Sequence, residues 1–243
     1  MTDESRIPNP ESRRIPNPES QRIPTPESRL PSPLCAIIDA EVAARDGWTI
    51  GDLASAYLAG GAKFLQVRAK REAGGWFLES AVRVVQLARP AGATVIVNDR
   101  ADIAKIAAAD GVHVGQHDLP PAAARVILGD TAMIGLSTHT TDQIGAAVAQ
   151  PISYVAIGPM FGSATKATGY QPVGPELVAR GAPRCRAAGK GIVAIGGITL
   201  DLAESVIQSG ADAVAVISDL LSTGNPEARV RAYLDRLSGR SAS

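Results

Sequence analysis

Downstream of residue 33 the chain alternates eight times between a short apolar run and an amphipathic stretch. The runs are LCAIID (Leu34–Asp39), KFLQVR (Lys63–Arg68), TVIVN (Thr94–Asn98), GVHVG (Gly111–Gly115), MIGLST (Met133–Thr138), YVAIGP (Tyr154–Pro159), IVAIGG (Ile192–Gly197) and AVAVIS (Ala213–Ser218). Between them lie helical patterns such as WFLESAVRVVQLAR and DLAESVIQSG, the latter with Gly210 placed as a C-terminal cap. Strict alternation of this kind predicts a parallel sheet joined by right-handed crossovers. Eight units predict a single closed (β/α)8 TIM barrel over 34–243 rather than an open doubly wound sheet. No GxGxxG turn follows the first run, which argues against a dinucleotide fold.

The first 33 residues have a different texture. ESRIPNP, ESRRIPNP, ESQRIPTP and ESRLPSP form a degenerate tandem repeat holding eight of the chain's 17 prolines. Proline at this density blocks both helix and ladder formation, and one Ile or Leu per unit buries too little apolar surface to offset chain entropy. Residues 1–33 are therefore expected to be a disordered Pro-rich leader, dispensable for chemistry.

The remaining totals exclude several classes of partner. Twenty-four basic and 24 acidic side chains cancel, so nothing favours long-range attraction to nucleic acid or an anionic membrane. No apolar stretch approaches the ~18 residues of a membrane span, and no secretory core is present at the N-terminus. Cys35 and Cys185 lie in no metal-ligand spacing and read as buried thiols of a reducing compartment, so the expected location is cytoplasmic. The sequence leaves a homo-oligomer open.

Chemistry in such barrels gathers at the C-terminal ends of the strands, and the polar residues accumulate there. The second run ends in Gln66, Arg68 and Lys70, which share one side if the extended conformation continues. Two cations beside an amide suit a phosphate or diphosphate. Asp99, after the third run, and Asp118, after the fourth, occupy equivalent positions and suit Mg²⁺, which takes one or two carboxylates plus phosphate oxygens and water. Ser137 ends the fifth run as a donor for a phosphate oxygen, and His139 follows it. His113 reads as a packed or hydrogen-bonded barrel residue, and no second His stands near His117 to build a zinc site. Gly196-Gly197 after the seventh run and Ile217-Ser218 at the eighth form the usual phosphate cradle of this barrel, with a helix starting at Thr199.

The loop GPMFGSATKATGY (Gly158–Tyr170), with two lysines, several hydroxyls and no acid, lies between the two anion sites. Two phosphorylated substrates meeting over one barrel mouth point to a transferase or condensing enzyme.

Seven ordered motifs, LQVRAK, VIVNDRADIA, GVHVGQHDLP, IGLSTHT, YVAIGPMFGSATK, IVAIGGIT and GADAVAVIS, give the chain from about Leu34 to Leu221 a resemblance to the thiamine phosphate synthases. Members of that family are transferases that join 4-amino-5-hydroxymethyl-2-methylpyrimidine diphosphate to hydroxyethyl-methylthiazole phosphate, releasing diphosphate by a dissociative substitution. The resemblance implies that Gln66, Arg68, Lys70 and Asn98 bind the pyrimidine diphosphate. It implies that Asp99 and Asp118 hold Mg²⁺ and that Ser137 and Lys166 contact the diphosphate. Ser163 and Thr165 would bind the thiazole phosphate with Gly197, Ile217 and Ser218, and Arg68, Lys70 and Lys166 would be the catalytic cations. The chain departs from the family pattern at Ala69, Gly162 and Ser163. Two rival readings share the barrel: a thiazole tautomerase using His139 as proton carrier, and a non-catalytic sensor of a phosphorylated ligand.

Overall fold

The computed structural model describes residues 30–162 and 171–239. Eight strands, β1 (Leu34–Asp39), β2 (Phe64–Arg68), β3 (Thr94–Asn98), β4 (Gly111–Val114), β5 (Met133–Thr138), β6 (Tyr154–Ile157), β7 (Gly191–Ile195) and β8 (Ala213–Val216), pair in chain order into a closed barrel. All pairings are parallel, and the ring shuts where Cys35 of β1 meets Ala215 of β8. The expected (β/α)8 architecture is the one formed.

Several strands end before the apolar runs do, each for a local reason. At β6, Pro159 has no amide hydrogen to give a ladder. Beyond β7, Gly196 turns to φ +104. Beyond β8, Ile217 leaves extended geometry at φ −115, ψ −88, and Ser218–Leu220 close a 3-10 turn. The apolar run marks where a strand is buried, whereas its end is decided by the turn that follows.

Helices α1 (Ala40–Arg45) and α2 (Ile50–Ala59) both follow β1. The others follow one strand each: α3 (Gly74–Ala88), α4 (Ala101–Ile106), α5 (Pro121–Leu128), α6 (Thr141–Ala147), α7 (Gly174–Ala187), α8 (Leu200–Gln208) and α9 (Pro226–Leu237). Helix α8 stops at Gln208, and Gly210 carries the chain out at φ +116. Short α1 is the extra element, and it is secured at its start by the side chain of Asp39, which accepts from the amides of Glu41 and Val42.

Strand alternation divides the core in two. One face packs Ile38, Leu65, Val97 and Val155 against helical residues such as Leu53, Phe77 and Val84. The other fills the barrel with Cys35, Ile37, Phe64, Ile96, Tyr154 and Val193. Phe64 and Tyr154 meet edge to face with centroids 6.0 Å apart, a geometry worth about 0.5–1.5 kcal/mol beyond area burial. Leu30 is seated at the opposite, N-terminal end of the barrel, 9% exposed and packed into this inner cluster. Ser32 Oγ accepts the Leu34 amide and the Pro33 carbonyl accepts the Val214 amide, so residues 30–33 are fastened to the barrel. The leader read from sequence thus overlaps these four residues, and its first 29 lie outside the described residues. Both cysteines are buried free thiols.

Candidate active site

Along the inner face the side chains change from apolar to polar toward the strand C-termini. On β2 the order is Phe64, Gln66, Arg68, and on β3 it is Ile96, Asn98. Strand register sets Asp39 beside Arg68 and Asn98 beside His113. Gln66 and Asn98 are each 5% exposed, so a buried polar layer lies just above an apolar one.

Arg68 is not a free cation. Its Nη1 is paired with Asp39 Oδ2 in a largely buried ion pair. The Oδ1 atom of the same carboxylate caps α1, at 3.1 and 3.0 Å from the amides of Glu41 and Val42. The Nε of Arg68 is buried without a hydrogen-bond partner among the described residues, a donor left over for something else. Sequence reasoning missed Asp39, although it stands at a strand end as Asp99 does and directly precedes a helix.

Lys70 parts from Arg68. Because β2 ends at Arg68, Lys70 is no longer held on the strand's face and instead pairs with Asp99 Oδ2. Asp99 has a left-handed backbone at φ +63 and donates its amide to the His113 carbonyl at 2.7 Å, which brings its carboxyl against that of Asp118. Burial raises the Asp99 carboxyl above its ordinary range; the Lys70 bond opposes this and the Asp118 contact reinforces it. Burial acts the same way on Asp118, but the bond with Asp99, the Gly115 amide at 2.8 Å and the charge of Lys70 together hold it below the ordinary range. The two carboxyls touch, so they titrate as a coupled pair.

Ser137 stands at the end of a buried hydrogen-bonded row. Its Oγ is 2.8 Å from His113 Nε2, and His113 Nδ1 is 3.0 Å from the hydroxyl of Tyr154. Burial pushes the Tyr154 phenol well up, so it remains an O–H group. His113 is therefore a hydrogen-bonded barrel residue, as read from sequence, and it orients Ser137. His139 donates from Nδ1 to the Gly158 carbonyl at 2.5 Å, while its own amide bonds the Gln143 side chain at 2.7 Å.

The other pole lies beyond β7 and β8, around a cavity of about 430 Å³ bordered by Gly197, Thr199, Ile217, Ser218, Asp219 and Arg45. Gly197 sits at φ +66, and a Cβ there would stand 2.6 Å from the Gly162 carbonyl oxygen. Only glycine satisfies both the left-handed turn and that approach. The start of the loop after β6 docks here through Met160 N to Ile195 O and Phe161 N to Gly196 O, both 2.9 Å. The Gly197 amide donates to no acceptor among the described residues. Thr199 is the N-cap and α8 begins at Leu200, one residue after the helix start read from sequence. Behind this pole, Asp219 Oδ2 accepts from Leu200 N, Arg229 Nη2 and Tyr233 Oη at 3.2, 2.8 and 2.6 Å, tying α8 and α9 to the 3-10 turn. Arg45 was not foreseen, since nothing in its surroundings in the sequence marks it. Ser163, Thr165 and Lys166 lie outside the described residues.

An ionic pole over β2 to β4 and a glycine-built pole over β7 and β8 define a (β/α)8 barrel with two polar poles on one mouth. The comparisons with known proteins narrow that class. A family model described as thiamine monophosphate synthase matches residues 34–220. The thiamine-phosphate synthase of Chlorobium luteolum is 38% identical over 201 residues, covering 83% of this chain and 91% of that protein. That of Koribacter versatilis is 40% identical over 210 residues, covering 84% and 95%. The solved structure of thiamine phosphate pyrophosphorylase from Pyrococcus furiosus superposes with a TM-score of 0.75 at 26% identity, covering 86% of this chain and 96% of its own. The chain belongs to the thiamine monophosphate synthase family, a family of transferases. Among the described residues no helix is long and apolar enough to cross a membrane.

Proposed function

We propose that this chain condenses 4-amino-5-hydroxymethyl-2-methylpyrimidine diphosphate with hydroxyethyl-methylthiazole phosphate, giving thiamine phosphate and diphosphate. The observation that carries the reading is the pair of anion-binding poles on one barrel mouth, one ionic and one built from backbone, in a member of this family. A one-substrate isomerase has no use for the first.

Asp99 and Asp118 fit a divalent cation. Their carboxyls lie together, and Asp99 already pairs with the ammonium of Lys70, so this spot attracts positive charge. Among the described residues no three His, Cys, Asp or Glu side chains form a metal cage, so the remaining ligands would be diphosphate oxygens and water. Bound there, Mg²⁺ would neutralise charge on the departing diphosphate.

Gln66 and Asn98 hold the pyrimidine ring from below. The C–O bond to diphosphate breaks with its electron pair passing to oxygen, and the pyrimidine-methyl cation left behind is stabilised by its own amino group. Arg68, through its spare Nε, and Lys70, Lys166 and Ser137 bind the leaving group, whose charge grows in the transition state. Gly197, Ile217 and Ser218, with Ser163 and Thr165, hold the thiazole phosphate, so that the ring nitrogen donates its lone pair to the cation and forms the C–N bond. No protein nucleophile is required, and alignment of the two rings supplies much of the rate.

Incubation of the purified chain with both substrates and Mg²⁺ tests this, with thiamine phosphate and diphosphate appearing in equal amounts. Folded protein that yields neither product refutes it. Lys166→Ala is expected to lose about 10²–10³ in turnover, the usual worth of one preorganised contact to developing charge.

A further inference from the structure

The backbone-built pole offers hydrogen bonds but no net charge, while a phosphate monoester brings nearly two negative charges at neutral pH. Two charged side chains border the cavity among the described residues, Asp219 and Arg45. Asp219 is spent: its carboxylate faces Arg229, Tyr233 and the start of α8. Arg45 is not. Its Nε donates to Asp46 Oδ1 at 3.1 Å, its side chain is 62% exposed, and neither Nη has a partner among the described residues. The fork of the guanidinium, the part that binds two phosphate oxygens at once, is therefore open.

Its backbone, by contrast, is placed. Arg45 is in the last turn of α1, whose first turn is capped by buried Asp39 and whose exit is closed by Trp48 N to Ala43 O at 2.8 Å. Since β1 closes on β8, this first βα segment ends beside the loop after the last strand. The exposed pair with Asp46 is of a kind that contributes little, so exchange for a phosphate is easy. Asp46 itself does not border the cavity.

We infer that Arg45 is the cation that recognises the phosphate of the second substrate at the β7–β8 cradle, and so selects the phosphorylated alcohol over the free one. This rests on the proposed function for the identity of the ligand, but not for the presence of an anion site.

The test uses Arg45→Lys, Arg45→Ala and Arg45→Glu in the full chain. With each substrate varied in turn, KM for the thiazole phosphate is expected to rise in that order, by about 10- to 100-fold for Ala. Turnover at saturation and KM for the pyrimidine diphosphate should stay close to wild type. The preference for the phosphorylated over the unphosphorylated thiazole should fall by the same factor as the KM change. A packing role would not produce a ranking by charge. Inorganic phosphate titrated into each protein by calorimetry gives a readout independent of turnover, with affinity falling in the same order. If the wild type forms no product yet phosphate affinity follows Arg45, the proposed function fails and this inference stands. If phosphate affinity and thiazole phosphate KM are unchanged in Arg45→Ala and Arg45→Glu, the inference is overturned whatever the wild type does.

Discussion

Asp39 links the two halves of the site, since one oxygen holds Arg68 and the other starts the helix that carries Arg45. Its replacement by Ala should therefore damage more than one thing. Losing an N-cap typically costs about 1 kcal/mol, and stranding one member of a buried ion pair costs about 3–5 kcal/mol. Arg68 is 11% exposed and Asp39 2%, so the second figure applies near its lower end, with Arg68 able to recover some solvation. The expected loss for Asp39→Ala is about 4 kcal/mol, out of about 5–15 for a typical domain. Asp39→Asn keeps an acceptor for the Glu41 and Val42 amides and should lose about 1 kcal/mol less. In the double variant Asp39→Ala, Arg68→Met the stranded charge is gone, so most of the penalty should return, with a coupling of about 2–3 kcal/mol. Urea unfolding followed by circular dichroism supplies each value from the midpoint at constant slope. A loss under about 1 kcal/mol for Asp39→Ala, or additivity in the cycle, would refute the idea that this pair is a buried, mutually dependent unit.

Gly197→Ala should raise KM for the thiazole phosphate while sparing that for the pyrimidine diphosphate, because a Cβ at φ +66 meets the Gly162 carbonyl; equal effects on both KM values would show general unfolding instead. A chain beginning at residue 30 should unfold at the same urea concentration as the full one. A chain beginning at residue 34, or Leu30→Ala, should lose about 2 kcal/mol by emptying the seat of a buried leucine. The Cys185 thiol, pushed up to about 11 by burial, is about one part in a thousand thiolate at pH 8, and Cys35 is raised further. Ellman's reagent at that pH should modify neither until denaturant is added, and prompt modification of folded protein would contradict the burial of both.

How much of this could be read in advance depends on the range of the interaction. The period of two in FLQVR was enough to place Gln66 and Arg68 on one face, because the pleat dictates it. It was not enough for Lys70, since extension of the strand beyond Arg68 is decided by the chain's turn toward Asp99, not by residue type. Asp99 and Asp118 were legible as a pair because equivalent positions on neighbouring strands lie close in any parallel barrel. The opposite directions in which their carboxyls shift were not, because burial of Asp99 and the Gly115 amide on Asp118 are properties of the folded site.

By itself the sequence determined the eightfold repeat, hence the barrel, and with it the side of the barrel on which polar residues gather. Local periodicity and turn chemistry carry that information, and both act over a few residues. Tertiary structure alone decided the partners of the charges: Asp39 for Arg68, the Tyr154–His113–Ser137 row, and Arg45 at the cavity beside Ser218. The last of these exists because the first strand hydrogen-bonds to the eighth. Closure of a ring joins its ends, and no residue near Arg45 in the sequence records that contact.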